Sequence, residues 1–124
     1  MRLLLDTQAL LWWLADEDLA QSAREAIADP ANEVMVSAAS AWEISVKKSL
    51  GKLVAPADLE DQVQASGFAP LPITLAHGLA AGQLPRHHQD PFDRMLIAQA
   101  IGDGMTVVTR DKRFDSYRVA TLAA

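Results

Sequence analysis

The sequence contains no cysteine. Disulfides, thiolate catalysis and cysteine-ligated zinc are therefore excluded. The run Ala9 to Ala15 is too short to cross a bilayer. The N-terminal Met1-Arg2-Leu3-Leu4-Leu5 is broken by Asp6 and does not fit a signal peptide. There is no glycine-rich phosphate loop and no Ser-His-Asp arrangement. No repeat, low-complexity tract or linker divides the chain. The expectation is a cytoplasmic protein with no membrane partner.

What is present fits one soluble domain over residues 1–124, long enough for a single good core. Half the residues are apolar and mean hydropathy is near zero, which excludes a disordered chain. The net charge of −5 argues at first against a nucleic-acid partner. Its distribution softens that objection. Residues 1–40 carry seven acids against two bases, whereas residues 84–118 carry six bases against five acids. If Asp93 and Asp111 bind metal, the remaining charges of that segment are mainly Arg86, Arg94, Arg110, Lys112, Arg113 and Arg118.

The pattern alternates short apolar strands with helices. Strands are expected at residues 2–6, 34–37, 68–73, 105–109 and 119–122. Helices are expected at about 8–14, 19–28, 39–50, from Pro56 and Asp58 to Gly67, from Thr74 through Ala81, and at 91–102. Strands without polar alternation, separated by helices, imply a parallel sheet covered on both faces. The class is α/β, a three-layer sandwich with a central parallel sheet.

Four carboxylates stand where such a fold buries hydrocarbon: Asp6, Glu43, Asp93 and Asp111. Asp6 ends the first strand, and Asp111 follows the 105–109 strand. Helix phase puts Glu43 on the stripe of Ala39, Val46 and Leu50, and puts Asp93 on the face of Ile97 and Ala100. A buried ionised acid is costly unless something positive compensates it. Ligands of open parallel sheets bind beyond the carboxyl ends of the strands. One acidic metal site assembled by folding accounts for all four residues. Local roles compete with it. Asp6 also fits a helix cap, Asp93 a partner of the helix dipole, and Asp111 an ordinary turn. Asp90, in Asp90-Pro91, reads first as an N-cap.

Other candidates carry less. His77 reads as a packing or surface histidine. His87 and His88 occupy a polar loop without the third imidazole that a zinc site needs. Trp12 and Trp13 are too many for one inward stripe, so part of that run is a candidate protein-binding surface.

The strings Leu4-Leu5-Asp6-Thr7, Ser40-Ala41-Trp42-Glu43-Ile44, His88 through Ala100 (HQDPFDRMLIAQA) and Val108-Thr109-Arg110-Asp111 resemble the PIN-domain ribonucleases, most of all the VapC toxins of type II toxin–antitoxin systems. The resemblance runs in order from residue 1 to about 120. It carries the family's acidic quartet onto Asp6, Glu43, Asp93 and Asp111, with Asp90 as an alternative to Asp93 or an additional acid behind it. Thr109 is the supporting hydroxyl. The resemblance implies a PIN-like sandwich and metal-dependent endonucleolytic cleavage of RNA needed for translation. It also implies a homodimer and a cognate VapB-type antitoxin. Mg²⁺, or Mn²⁺, is the expected ion, because hard cations prefer oxygen ligands. Asp6 and Asp93 are the first-choice ligands, completed by Glu43 and Asp111. Lys47, Arg94, Arg110 and Lys112 are the expected phosphate contacts. Two other readings are a receiver-like phosphoacceptor domain and a non-catalytic module binding through Trp12 and Trp13.

Overall fold

A computed structural model describes all 124 residues. Five strands, β1 (Arg2–Leu5), β2 (Glu33–Ser37), β3 (Ala69–Leu71), β4 (Thr106–Thr109) and β5 (Ala120–Ala123), form one sheet in the order β3-β2-β1-β4-β5. Every neighbouring pair is parallel, with Leu4 beside Met35 on one side and Val107 on the other. Six helices complete the fold: α1 (Thr7–Ala15), α2 (Gln21–Ala28), α3 (Ala38–Ser49), α4 (Leu59–Ala65), α5 (Leu75–Gln83) and α6 (Pro91–Asp103).

The apolar strands are buried on both faces. Leu3, Leu4 and Leu5 have no exposed surface, and their alternation divides them between two cores. Leu3 and Leu5 join Val34, Val36 and Val108 against α1 and α2. Leu4 joins Met35 and Val107 against Leu96, Ile97 and Ala100 of α6. Each fully buried leucine is worth roughly 1.5–3 kcal/mol of transfer free energy, so a Leu4→Ala cavity would cost about 2–5 kcal/mol.

The class, layers and parallel sheet are as expected, and the element boundaries shift by a few residues at most. A short 3₁₀ turn at Lys112–Ser116 was not expected. The stripe of α3 differs as well. Ala39, Ser40, Glu43 and Ile44 are buried, whereas Leu50 is 61% exposed because it lies at the helix end beyond the sheet.

The strand order matters for function. The chain moves outward from β1 through β2 to β3, then returns to the other side of β1 as β4 and β5. The order reverses between β1 and β4, and at such a switch point a crevice opens at the carboxyl ends of the strands. α3 leaves β2 at that rim. α6 leads into β4, so its first turn lies there too.

Candidate metal centre

Asp6 leaves β1 directly into α1. It is the N-cap of α1, accepting the Ala9 N–H at 2.8 Å. The hydroxyl of Thr109, at the end of β4, stands near enough to its carboxylate to favour the charged form. Capping and site-building therefore use the same side chain. Burial is the main force holding the Asp6 carboxyl above the usual range, and nearby Asp111 and Glu43 add to it.

Glu43 is 5% exposed on α3. One carboxylate oxygen accepts the Thr7 hydroxyl at 2.6 Å, and the other meets the Lys47 ammonium one helical turn on at 2.5 Å. This is the compensation that a mid-stripe glutamate requires. In turn, the bond to Glu43 pushes the Lys47 ammonium up from its ordinary value.

Asp90 and Asp93 share the first turn of α6. Asp90 caps it, accepting Phe92 N–H at 2.8 Å and Asp93 N–H at 3.3 Å, with Pro91 pre-set for the first helical position. Asp93, three residues on, turns inward. Its carboxyl is pushed up to about 7, first by burial and then by Asp90, with Asp6 and Glu43 adding to the shift and His88 opposing it.

Asp111 caps the 3₁₀ turn and is gripped by the Arg113 guanidinium, with contacts from 2.8 to 3.1 Å. That grip holds its carboxyl below the ordinary value. Thr109 accepts the Asp111 N–H at 3.0 Å, so one hydroxyl stands beside both the first and last acids.

Asp6, Glu43, Asp90, Asp93 and Asp111 all line one cavity of about 280 Å³, together with Lys47, Trp12 and Arg110. Thr109 lies behind it. The sheet rule and helix phase thus bring the four candidate acids together, and Asp90 with them.

Sequence reasoning missed His88. The loop before α6 is largely exposed, but His88 within it is 1% exposed. Its Nδ1 accepts the Asp90 N–H at 3.2 Å, which leaves the proton on Nε2. Nε2 lies 2.9 Å from Asp93 and 3.3 Å from Asp111. The three side chains offer ligand atoms within 4.8 Å of one another. The signal was the position of His88 two residues before the helix cap, where a side chain folds back over the first turn. Thr7, beside Asp6 in sequence, was also passed over.

The expected phosphate contacts need correction. Arg94 does not reach solvent. It is 9% exposed, and its guanidinium donates to the carbonyls of Ala81, Leu84, Pro85 and His88 at 2.8–3.3 Å. It clamps the α5–α6 loop, an anchoring role that α6 phase alone does not reveal. Lys47 is paired with Glu43. Arg110 donates to the carbonyls of Ala124 and Asp18 and to the Asp18 carboxylate, and stacks over Trp12 at 4.0 Å from the ring centroid. Lys112 is exposed at the start of the 3₁₀ turn. The tryptophans do not form an open apolar face either. Trp13 packs on Phe68 and donates to Ser66, and Trp12 is half-buried at the cavity edge.

The donor set fits a divalent cation. It is rich in hard oxygen ligands, and two of its carboxyls are held above their ordinary values by burial and mutual repulsion, which a cation would relieve.

A doubly flanked parallel sheet with an acidic crevice at its switch point defines a class, and a family model agrees. The PIN domain matches residues 3–120, and the chain belongs to that family. It is similar to Ribonuclease VapC22 of Mycobacterium tuberculosis, 33% identical over 119 residues that cover 93% of this chain and 91% of that protein. Among solved structures, VapBC2 from Rickettsia felis, bound to a DNA fragment from its promoter, gives a TM-score of 0.73 at 15% identity and 98% coverage of both chains. DNA-bound VapBC from Salmonella typhimurium gives 0.71 at 17% identity, covering 98% of this chain and 97% of that one. At those identities the structures speak for the fold. No helix is long and apolar enough to cross a membrane.

Proposed function

We propose that this protein is a divalent-metal-dependent endoribonuclease and the toxin of a toxin–antitoxin pair, working in the cytoplasm as a homodimer restrained by a VapB-type antitoxin. The observation that carries the nuclease reading is the convergence of five carboxylates on one crevice, with Asp93 pushed up to about 7. The family membership and the ribonuclease name of a relative spanning nearly the whole chain support RNA as substrate. VapBC structures among the fold neighbours support the antitoxin.

Asp6 and Asp93 would hold Mg²⁺ or Mn²⁺, with Glu43 and Asp111 completing the site. Such an ion supplies a more acidic attacking water, orientation of the phosphodiester and stabilisation of the leaving oxygen. The chain's own groups keep the acids in place. Thr7 and Lys47 fix both oxygens of Glu43, and the Thr109 hydroxyl, beside Asp6, holds the Asp111 N–H. The Nε2 of His88 bonds Asp111 at 3.3 Å and stands 2.9 Å from Asp93, so one ring borders both acids. The α6 cap at Asp90 aims Asp93 inward.

The test is incubation of the purified protein with total RNA in Mg²⁺, Mn²⁺ or chelator, beside Asp6→Asn and Asp93→Asn. Cleavage that needs metal and both acids is the expected result. Cleavage persisting in chelator, or in both variants, overturns the nuclease mechanism.

A further inference from the structure

An acidic crevice that cuts RNA must hold a polyanion, yet the cations lining it are already engaged. Lys47 is bonded to Glu43, and Arg110 to Asp18 and Ala124. Nearby, Arg113 is bonded to Asp111, and Arg94 is buried under one α5 carbonyl and three loop carbonyls. Lys112 is exposed at the rim without such a partner, but phosphate neutralisation, the usual source of RNA affinity, has few other free cations here. Binding calls for a further source.

The wall of the crevice offers the alternative. Trp12 lines the acid cavity and also the adjoining cavity of about 270 Å³; Gln8, Leu11 and Leu53 line both as well. The shared wall is an aromatic ring, two aliphatic side chains and one amide, with no charge. That is the chemistry of a nucleobase, a flat apolar face with a hydrogen-bonding edge. The ring is also held in place. The Arg110 guanidinium lies over it, and three of the arginine's nitrogens are fixed to Ala124 and Asp18. Arg110 thus serves as a clamp on the indole instead of a phosphate contact. Unstacked bases of single-stranded RNA bind on such aromatic platforms.

Resting on the nuclease reading, we infer that Trp12, clamped by Arg110, is a stacking subsite for the unpaired base next to the phosphodiester cut at the acidic cluster. Gln8 is placed to meet the edge of that base. The subsite favours single-stranded RNA, because a paired base is unavailable to the ring.

The test combines Trp12→Leu and Trp12→Phe with a set of single-stranded oligoribonucleotides carrying one abasic residue at successive positions around the cut. We expect Trp12→Leu to raise KM about tenfold with kcat changed less than about threefold, and Trp12→Phe to restore most of the loss. In the wild-type protein one abasic position should reproduce the loss, and that position should cost Trp12→Leu nothing further. KM should change little between 50 and 200 mM salt, because few phosphates are neutralised. An unchanged KM in Trp12→Leu, or independent losses from the abasic residue and the substitution, overturns the subsite. That is also what a ring serving a protein partner would give. Should Trp12→Leu fail to fold, Trp12→Phe and the abasic series on the wild-type protein decide the matter. Should the wild-type protein cut no RNA, the nuclease reading fails by itself. The subsite is then judged on binding of the same fluorescently labelled oligonucleotides, where loss of binding at one abasic position supports it and indifference to all of them overturns it.

Discussion

Two histidines are buried on this chain, and their surroundings differ in kind. His77 sits in a closed network. It forms a capping box with Thr74, its Nε2 meets Asp103 at 3.1 Å, and Gln99 beside it bonds Ser37 at 2.6 Å and the Pro72 carbonyl at 3.3 Å. One partly exposed acid faces it, and no buried polar side-chain atom is left without a partner. His88 instead faces two carboxylates, Asp93 and Asp111, with Asp6, Glu43 and Asp90 around the same cavity. One imidazole stands between two of them, while five carboxylates share the cavity. Geometrically both networks are complete; electrostatically only the first is. A satisfied buried network fixes structure, whereas an excess of like charge costs stability and marks a functional site.

The largest effect should come from breaking the second network. Asp93→Asn should lower metal-dependent RNA cleavage about a hundredfold or more, since a ligand is worth several kcal/mol in the transition state. Cleavage of labelled RNA at saturating Mn²⁺ checks this. Arg94→Ala should cost about 2–4 kcal/mol of stability by orphaning the loop carbonyls it serves. Its urea midpoint should fall with no change in the salt dependence of KM, as befits an anchor. Gln99→Leu breaks the satisfied network and should cost roughly 1–3 kcal/mol. Measured at low temperature where the variant is folded, its kcat should stay near the wild-type value.

The next effect is one of pH. The folded-state carboxyl of Asp93 lies at about 7, above its ordinary 3.8. The folded state therefore binds the proton more tightly than the unfolded one, and metal-free stability should fall as pH rises from about 4 to about 7. Asp6 acts in the same direction. Asp111, held below the ordinary value, acts oppositely, but only in acid below about pH 4. Urea titrations across this range, in chelator, read the slope, which Asp93→Asn should largely remove. Metal-dependent cleavage should rise over the same interval, because protonated Asp93 cannot serve as a ligand. Smallest of all, Lys112→Ala should change KM less than about threefold, as expected for an exposed charge at the rim.

Much of this was legible in the sequence. The runs Leu3-Leu4-Leu5 and Val107-Val108 read as buried strands, and Asp90-Pro91 read first as the opening of a helix. Period and the sheet rule were enough to gather Asp6, Glu43, Asp93 and Asp111 on one rim. Where the reading fell short, the cause was tertiary. His88 looked like loop because burial of a loop depends on what packs over it, here Phe114 at 6.0 Å and the Tyr117 hydroxyl bonded to its N–H. Arg94 looked like a surface charge because its acceptors are backbone carbonyls, which no side-chain pattern reveals. The tryptophans looked like an exposed patch because Phe68 and Arg110 lie far from them in sequence. Helix phase worked for Glu43 and failed for Leu50, since a stripe stays inward only while the sheet lies beneath it.

The central claim is that like charge is gathered on this crevice to hold a divalent cation. It is tested most directly by the unfolding midpoint at pH 8, with Mg²⁺ or Mn²⁺ titrated into the wild-type protein and Asp93→Asn. In chelator the variant should be the more stable by roughly 1–3 kcal/mol. Added metal should raise the wild-type midpoint and leave the variant nearly unmoved. Equal midpoints in chelator, with equal responses to metal, would contradict the claim.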